Sequence, residues 1–589
     1  MAPRNGAGNR QQGVTNFMST IVKEQVGGEV TVAEAYLSAL KDHGVRYVFA
    51  NAGTDFAPII EGLVRANDSG RDVPKFITVP HENVAMAMAQ GYYKVSGEIA
   101  GVMVHVTVGT ANALCGLMNA ARDNVPLLLA AGRTPLTEGG DPGSRNIHIH
   151  WGQEAFDQGG VVREYVKWDY ELRSGQPVDQ VVQRALDIAM SEPRGPVYLT
   201  LPREVLGVTT ANGARRGRSR RPMPAAPSAE AIEHVADAIA RAENPLIISG
   251  RNLHTAESFA ALSALADECA IAVGQASGGN LPSSHLMNLG AVPKAALQAA
   301  DVILVVDASV PWIPRYAEPR ADAMIIQLGS DPTYQRVPFR GFRADMTVAG
   351  DSALAFAMLR DALKSKLKNR QPAVDARRKR MRAVRDETDR QRAKLLAEAK
   401  DMSPIHPAWL AHCLNEVKDD DAIIINELGV PFDHLRLEKP GCFLPGGGAG
   451  GLGRGLGEAL GAKIAAPNRQ VIAAVGDGSY MFCVPTAAHF VGQAEKLPTL
   501  TIVSNNAMWF AVKGATMAMF PNGRASRANT LPLVDLTPSP NFEKTIEACG
   551  GRGERVEDPA KLTGALERSL KTVGDGTQAL LNVICRARG

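Results

Sequence analysis

The sequence predicts an α/β protein built as three consecutive domains, each a parallel sheet covered by helices. Three observations carry this. Short continuous runs of Val, Ile and Leu alternate with stretches of helical apolar spacing along most of the chain, as strands buried on both faces require. The chain has 589 residues, room for three or four domains at roughly 100–200 residues each. Two charged, proline-containing interruptions cut the alternating pattern into three blocks.

The elements follow in order. Residues 1–28 (MAPRNGAGNRQQGV onward) lack an apolar signal core and read as a tail. The first block spans 29–205. VTVAEAYLSALKDHG has helical spacing, RYVFANAG is a strand closing in a Gly turn, and KFITVPH is a second strand. ENVAMAMAQGYYKVSG is a helix, IAGVMVHVTVG a strand, ALCGLMNAARDN a helix, and VPLLLAAGRTP and GPVYLTLPREV are further strands. Residues 206–228 form a linker whose ANGARRGRSRRPMPAAPS is basic and Pro-rich, read as solvated. The second block, 229–365, holds the helix AEAIEHVADAIARA and the strands PLIISG, DVILVVDA and AMIIQLG. Residues 366–402 are a charged linker, predicted beyond Pro372 to be a solvated helix without sustained heptads. The third block, 403–589, holds the strands AIIINE, QVIAAVGD, TLTIVSNN and ALLNVIC.

Bulk composition narrows the classes. A net charge of +3 gives no case for nucleic acid or a membrane surface. Seven scattered cysteines without a CxxC argue against a disulfide framework or a structural zinc site and for a reducing, cytoplasmic setting. No apolar run reaches the roughly 18 residues of a membrane span.

The chemistry concentrates in VIAAVGDGSYMF and SNNAMWF. The carboxyl end of a parallel strand is where chain meets ligand in such sheets. Gly476 and Gly478 permit a tight turn there, and Asp477 offers a carboxylate. The next strand delivers Asn505 and Asn506 at its own carboxyl end. Asp477 and one Asn amide oxygen can then share one ion, and an all-oxygen set beside a phosphate suits Mg2+. Ser479, opening the next helix, adds hydroxyl and N–H donors for a phosphate. GDGS alone is ordinary turn chemistry; the pairing with NN is the stronger signal.

GDG followed after 26 residues by NN resembles the thiamine diphosphate-binding motif. That resemblance implies Asp477, Asn506 and the Met508 carbonyl as metal ligands. It also implies a carboxylate that activates the pyrimidine ring by a charge-assisted hydrogen bond. Glu82 of VPHENVAMAMAQGYY is the candidate, although a lone Glu in a first helical turn is ordinarily only a dipole complement. The whole chain is similar to the thiamine-dependent decarboxylase and acetolactate synthase superfamily, with pyrimidine-binding, central and diphosphate-binding domains in that order. In GGGAGGLGRGLGEALGA the resemblance implies Leu452 as the wedge that bends the coenzyme and the Gly450 carbonyl as acceptor of its amine. Gly429 and Val430 of INELGVPFDH would offer backbone N–H groups to the diphosphate.

Locally the chain is most similar to benzoylformate decarboxylase. YVFANAGTDFAPI places Thr54 where that family has a catalytic serine, and HVTVGTANALCGL places His105 on its active-site histidine. The bland readings are a helix cap for Thr54 and a satisfied, half-buried histidine for His105. An unperturbed imidazole titrates near pH 6.5, suited to proton transfer in both directions. DASVPWIPRYAEPR lacks the family's second histidine, leaving Trp312, Ile313 or Arg315 to stand near the site. RNIHIHWGQEAFDQGG offers His148, His150, Gln153 and Glu154 for proton transfer or substrate contact, or is an ordinary polar loop.

The expected activity is thiamine diphosphate- and Mg2+-dependent decarboxylation of a 2-oxo acid or related ketone, with or without joining the remaining acyl fragment to a second carbonyl. Alternatives are an acetolactate synthase-like carboligase and a lyase acting on 2-hydroxyacyl- or oxalyl-coenzyme A. SGRNLH (249–254) carries no GxGxxG fingerprint, so FAD is left open and not predicted. The family implies a homodimer or homotetramer.

Overall fold

A computed structural model describes residues 30–210, 222–250, 255–528 and 530–587. The N-terminal tail and the arginine cluster of the first linker lie outside the described residues, as do 251–254 of the SGRNLH segment.

Three parallel sheets follow one another. The first holds β1 (Tyr47–Ala50), β2 (Lys75–Thr78), β3 (Gly101–Val104), β4 (Leu128–Arg133), β5 (Asp169–Glu171) and β6 (Val197–Pro202), in the spatial order β2-β1-β3-β4-β6-β5. The second holds β7 (Pro245–Ser249), β8 (Ala272–Gln275), β9 (Val302–Val306), β10 (Met324–Gly329) and β11 (Met346–Ala349), ordered β8-β7-β9-β10-β11. The third holds β12 (Ile423–Glu427), β13 (Phe443–Leu444), β14 (Val471–Gly476), β15 (Leu500–Asn505), β16 (Arg552–Val556) and β17 (Ala579–Ile584), ordered β13-β12-β14-β15-β17-β16. Central strands such as β4, β9 and β15 are buried along almost their whole length, which is why they read as unbroken apolar runs.

In each sheet the winding reverses beside the first strand of that sheet. The reversals fall between β1 and β3, between β7 and β9, and between β12 and β14. Such switch points open a crevice at the carboxyl ends of the strands. The first crevice is flanked by Asn51–Asp55 and His105, the third by Leu428–Val430 and Asp477.

Five helices border the candidate site, α1 (Glu82–Ser96), α2 (Val106–Arg122), α4 (Gly455–Ala465), α5 (Asp477–Phe482) and α6 (Phe510–Met519), and α3 (Gln371–Ala399) packs on the second block. Helix α1 packs on α4 through small residues on both. A Cβ on Gly91 would stand 2.1 Å from the Glu458 carbonyl oxygen, and one on Gly461 2.0 Å from that of Met88. The approach brings the first and third sheets into one shared core, which runs from Phe49 and Ile77 to Ile425 and Leu580. The second sheet keeps its own cores.

Three expectations change. The strand expected over IAGVMVHVTVG stops at Val104, and α2 begins at Val106; the valines after His105 are helical. The charged 366–402 stretch is a docked strut rather than a free helix: Val374, Arg377 and Met381 of α3 are buried. Arg377 donates to the carbonyls of Cys269, Ile239 and Ala242. The segment after Trp509, with few signals in the sequence, forms α6, none of whose residues is buried. No helix among the described residues is long and apolar enough to cross a membrane.

Candidate active site

Asp477 is the first residue of α5, 4 % exposed, at the carboxyl end of β14. Its Oδ1 accepts the Gly478 N–H at 2.8 Å, while Oδ2 is buried without a hydrogen-bond partner. Burial pushes this carboxyl above its ordinary range, opposed by the N–H groups of Gly478 and of the 506–508 turn. A buried carboxylate oxygen left short of a full hydrogen bond is one that a cation can complete. The neighbouring strand delivers that turn. Asn505 is consumed by structure: its Nδ2 donates to Asn582 Oδ1, and its Oδ1 accepts the Ala507 N–H and the Ser539 hydroxyl. Asn506 is half-buried, and its Oδ1 accepts the Met508 N–H at 3.1 Å. Ala507 between them has a φ of 53°. Of the two asparagines, Asn506 therefore has the amide oxygen able to turn toward an ion beside Asp477. The oxygen-only donor set of Asp477, Asn506 and the Met508 carbonyl fits a hard divalent cation such as Mg2+.

Gly478 is required by contact: a Cβ there would lie 2.2 Å from the Trp509 ring. Trp509 in turn stacks edge-on against Phe482, locking α5 to the turn. Ser479 is buried in α5, and Gly476 is its N-cap.

Glu82 opens α1 and is 7 % exposed. Asn51 donates to its Oε1 at 2.9 Å and Asn112 to its Oε2 at 2.5 Å. The carboxylate is thus fixed by two amides, each oxygen keeping a lone pair for a further donor. The next residue, Asn83, donates to the Gly453 carbonyl at 3.1 Å, so within one chain the Glu82 helix touches the glycine loop that leads into α4. In that loop Gly450 has a φ of 72° and open space around its Cβ position, and Leu452 is half-buried. Glu427, 3 % exposed, ties the loop down by accepting the N–H groups of Gly453 and Gly455, each at 2.8 Å. The expected diphosphate-side turn lies against β14. A Cβ on Gly429 would strike Ala474 of β14 at 2.2 Å, so glycine is needed there for strand contact. The Val430 N–H already bonds Asn426 Oδ1 at 3.0 Å.

His105 sits between β3 and α2, its Nδ1 hydrogen-bonded to Asp55 and its Nε2 3.0 Å from Gln153 Nε2. Thr54 is exposed and begins a one-turn helix whose N-cap is Gly53, so it caps nothing. Of the polar loop, Gln153 reaches His105 and His148 is exposed. Glu154 pairs with Arg133 and Arg145. His150 is buried, its imidazole pushed below the ordinary range by burial and then by Arg203 and Arg145. In the central block Trp312 is buried against Phe342 and Ile313 is exposed. Arg315 bonds the Ala518 carbonyl of α6, bringing that loop to the helix after Met508. Sequence reasoning missed Asn51, Asn112, Asp55 and Trp509. Asn51 had a signal, a polar residue at the carboxyl end of a switch-point strand; Asn112, inside a helix, had none.

Three family models match. The thiamine pyrophosphate enzyme N-terminal TPP binding domain covers residues 30–161, the central domain 232–359 and the C-terminal TPP binding domain 430–582. Benzoylformate decarboxylase of Pseudomonas aeruginosa is 27% identical over 507 residues, 82% of this chain and 87% of that one. The acetolactate synthase isozyme 3 large subunit of Escherichia coli is 25% identical over 592 residues, 94% of each. The solved thiamine diphosphate-dependent 4-hydroxybenzoylformate decarboxylase of Rhodococcus jostii RHA1 superposes with a TM-score of 0.75 at 22% identity, covering 95% of this chain and 100% of that one. That likeness is one of fold.

Proposed function

Because this chain belongs to the thiamine pyrophosphate enzyme family, we propose that it decarboxylates a 2-oxo acid with thiamine diphosphate held through Mg2+. The observation that carries the reading is the buried Asp477 oxygen without a partner, set beside the Asn506–Met508 turn. When bound, the coenzyme supplies a carbanion that adds to the substrate carbonyl and a cationic ring that accepts the electrons released with carbon dioxide.

The chain's own residues do the rest. Asp477, Asn506 and the Met508 carbonyl hold the ion, and Ser479 with Gly476 and Gly478 lines the diphosphate. Gly429 shapes this wall by letting the 428–430 turn lie on β14; of the two residues, Val430 is the weaker candidate, its N–H being engaged already. Gly450 would accept from the coenzyme's amine through its carbonyl, and Leu452 would pack against the coenzyme. Glu82, steadied by Asn51 and Asn112, hydrogen-bonds the pyrimidine nitrogen and holds a proton there. His105 moves a proton to or from the reacting end of the substrate, and Thr54 borders the same crevice. We keep 29–205, 229–365 and 403–589 as the limits of the three domains. A homodimer or homotetramer in the cytoplasm remains the assembly and location we propose.

The acetolactate synthase relatives span nearly the full chain, which favours a second outcome, joining of the acyl fragment to another carbonyl. Both are tested by incubating the protein with a panel of 2-oxo acids, thiamine diphosphate and Mg2+ and reading carbon dioxide and carbonyl products. Pyruvate giving acetolactate marks the carboligase; aldehydes alone mark the decarboxylase. Glu82→Gln is expected to lose turnover by roughly 10²–10⁴-fold, the scale of a positioned acid–base group, while binding the coenzyme in a metal-dependent way. Asp477→Asn is expected to lose that metal dependence. Normal turnover by Glu82→Gln would remove the activation step.

A further inference from the structure

Asp55 is 2 % exposed and lies in the one-turn helix that follows β1, one residue beyond Thr54. Its Oδ1 bonds His105 Nδ1, and its Oδ2 accepts the Val106 N–H at 3.4 Å. Two glycines make room for the pair. A Cβ on Gly132 would lie 1.8 Å from Asp55 Oδ2, and one on Gly53 2.0 Å from His105 Nδ1. The residue after the histidine, Val106, holds a φ of 25°, a costly conformation for a β-branched side chain that persists where the surroundings impose it. On the far side of the ring Gln153 Nε2 meets His105 Nε2, and Gln153 Oε1 is buried without a partner.

The donor arithmetic fixes the proton. An ionised carboxylate only accepts, so the neutral ring carries its hydrogen on Nδ1 and its lone pair on Nε2. That lone pair takes a hydrogen from the Gln153 amide. Once Nε2 is protonated it becomes a donor, and the amide can meet it only by turning its oxygen inward. The atom now unpaired is the atom that state needs. His150 is coupled electrostatically to both members of the pair and to Arg203 and Arg145. Arg203 is engaged by the carbonyls of Gly143, Ser144 and Thr54, and Arg145 by Glu154 and the Pro135 carbonyl.

We propose that Asp55 is a positioning residue that holds His105 in its Nδ1–H form, leaving Nε2 as the proton-exchanging atom with Gln153 as its gate. The proposal rests on the reading of His105 as the proton-transfer group of a decarboxylase. Asp55→Asn removes the anion that favours the imidazolium. Two results are expected: kcat falls at least about tenfold, and KM stays within about twofold. In a His105→Gln background the same change is expected to cost nothing further, because Asp55 acts only through the ring. An unchanged kcat, or losses that multiply in the double variant, overturns the proposal. Should Asp55→Asn fail to fold, 15N-histidine spectra of the intact protein still decide. A strongly deshielded Nδ1 proton that vanishes in His105→Gln supports it, and an Nε2–H ring overturns it. These spectra need no turnover, so a protein that decarboxylates nothing would sink the functional reading while the tautomer is still read.

Discussion

Asp307 shows how one side chain can set the pH response of a whole block. It follows β9 at the switch point of the second sheet, where a Cβ on Gly250 would lie 1.8 Å from its carbonyl oxygen. Burial pushes its carboxyl up to about 7, only partly offset by the Ser352 hydroxyl and a backbone N–H. In the unfolded chain the same group titrates near 3.9. Between those values the folded state binds more protons than the unfolded one, so stability falls as pH rises from about 4 toward 7. Asp307→Asn removes that slope, and Asn tolerates the φ of 48° found there. The variant is expected to melt higher than the parent at pH 8 and to match it near pH 4, with about 1.4 kcal/mol at stake for each pH unit that separates the folded and unfolded titrations. A lower melting temperature at pH 8 than the parent would mean that the charged carboxylate is wanted in place. At this same scale the candidate site is half legible in the sequence. Asp477, Asn506 and Glu82 stand in short motifs whose spacing is itself the signal. Asp55, Asn51 and Asn112 gain meaning only from partners 30 to 51 residues away, and no local pattern encodes such a pairing.

Among the elements, every strand of the three sheets that the sequence pattern leaves unpredicted lies at a sheet edge, although the edge strand β2 is read from KFITVPH. None of β5, β8, β11, β13 and β16 is expected from the sequence pattern, and all five are edge strands. An edge strand has one hydrogen-bonded neighbour and a partly wet face, so it needs no unbroken apolar run; β16 reads RGERV with only its last residue buried. The start of α2 misleads for the opposite reason, because valines placed after β3 look like more strand until Asp55 captures the Val106 N–H. The junction of α1 with α4 is legible only in hindsight, as glycines at 91, 457 and 461 that meet backbone. Gly461→Ala puts a methyl group 2.0 Å from a carbonyl oxygen that cannot move alone. The helices must part, at an expected cost of about 1–3 kcal/mol or more. Coenzyme affinity should fall with it, since α1 carries Glu82 and α4 follows the Gly450–Leu452 loop. Gly574→Ala, with no atom within 4 Å of the added carbon, should leave both denaturant midpoint and affinity close to the parent. Equal effects from the two substitutions would deny the junction its role.

For the molecule as a whole, the arrangement of cores implies two folding units rather than three. The first and third sheets share a continuous apolar core, and a buried charge network crosses between them. Lys94 of α1 reaches Glu458 of α4 at 2.9 Å and Asp123 at 3.2 Å, and Glu458 also pairs with the fully buried Arg454. The second block meets its neighbours through polar contacts to backbone, such as Arg336 to the carbonyls of Val166 and Glu164 and Arg315 to that of Ala518, and through local packing of Gly278 and Gly279 on Phe432 and Phe443, while its sheet cores stay separate. Apolar burial carries cooperativity better than a few polar contacts at a wet boundary. Calorimetry with hydrogen exchange should therefore resolve one transition for the first and third blocks together and another for the second. Lys94→Met takes a cation away from Asp123 and Glu458, and breaking a buried ion pair costs about 3–5 kcal/mol. It should lower the joint transition alone, and exchange should quicken in β1 and β14 but not in β9. If β9 quickened in step, the chain would be a single cooperative unit, and the first and third blocks could not open without unfolding the central block.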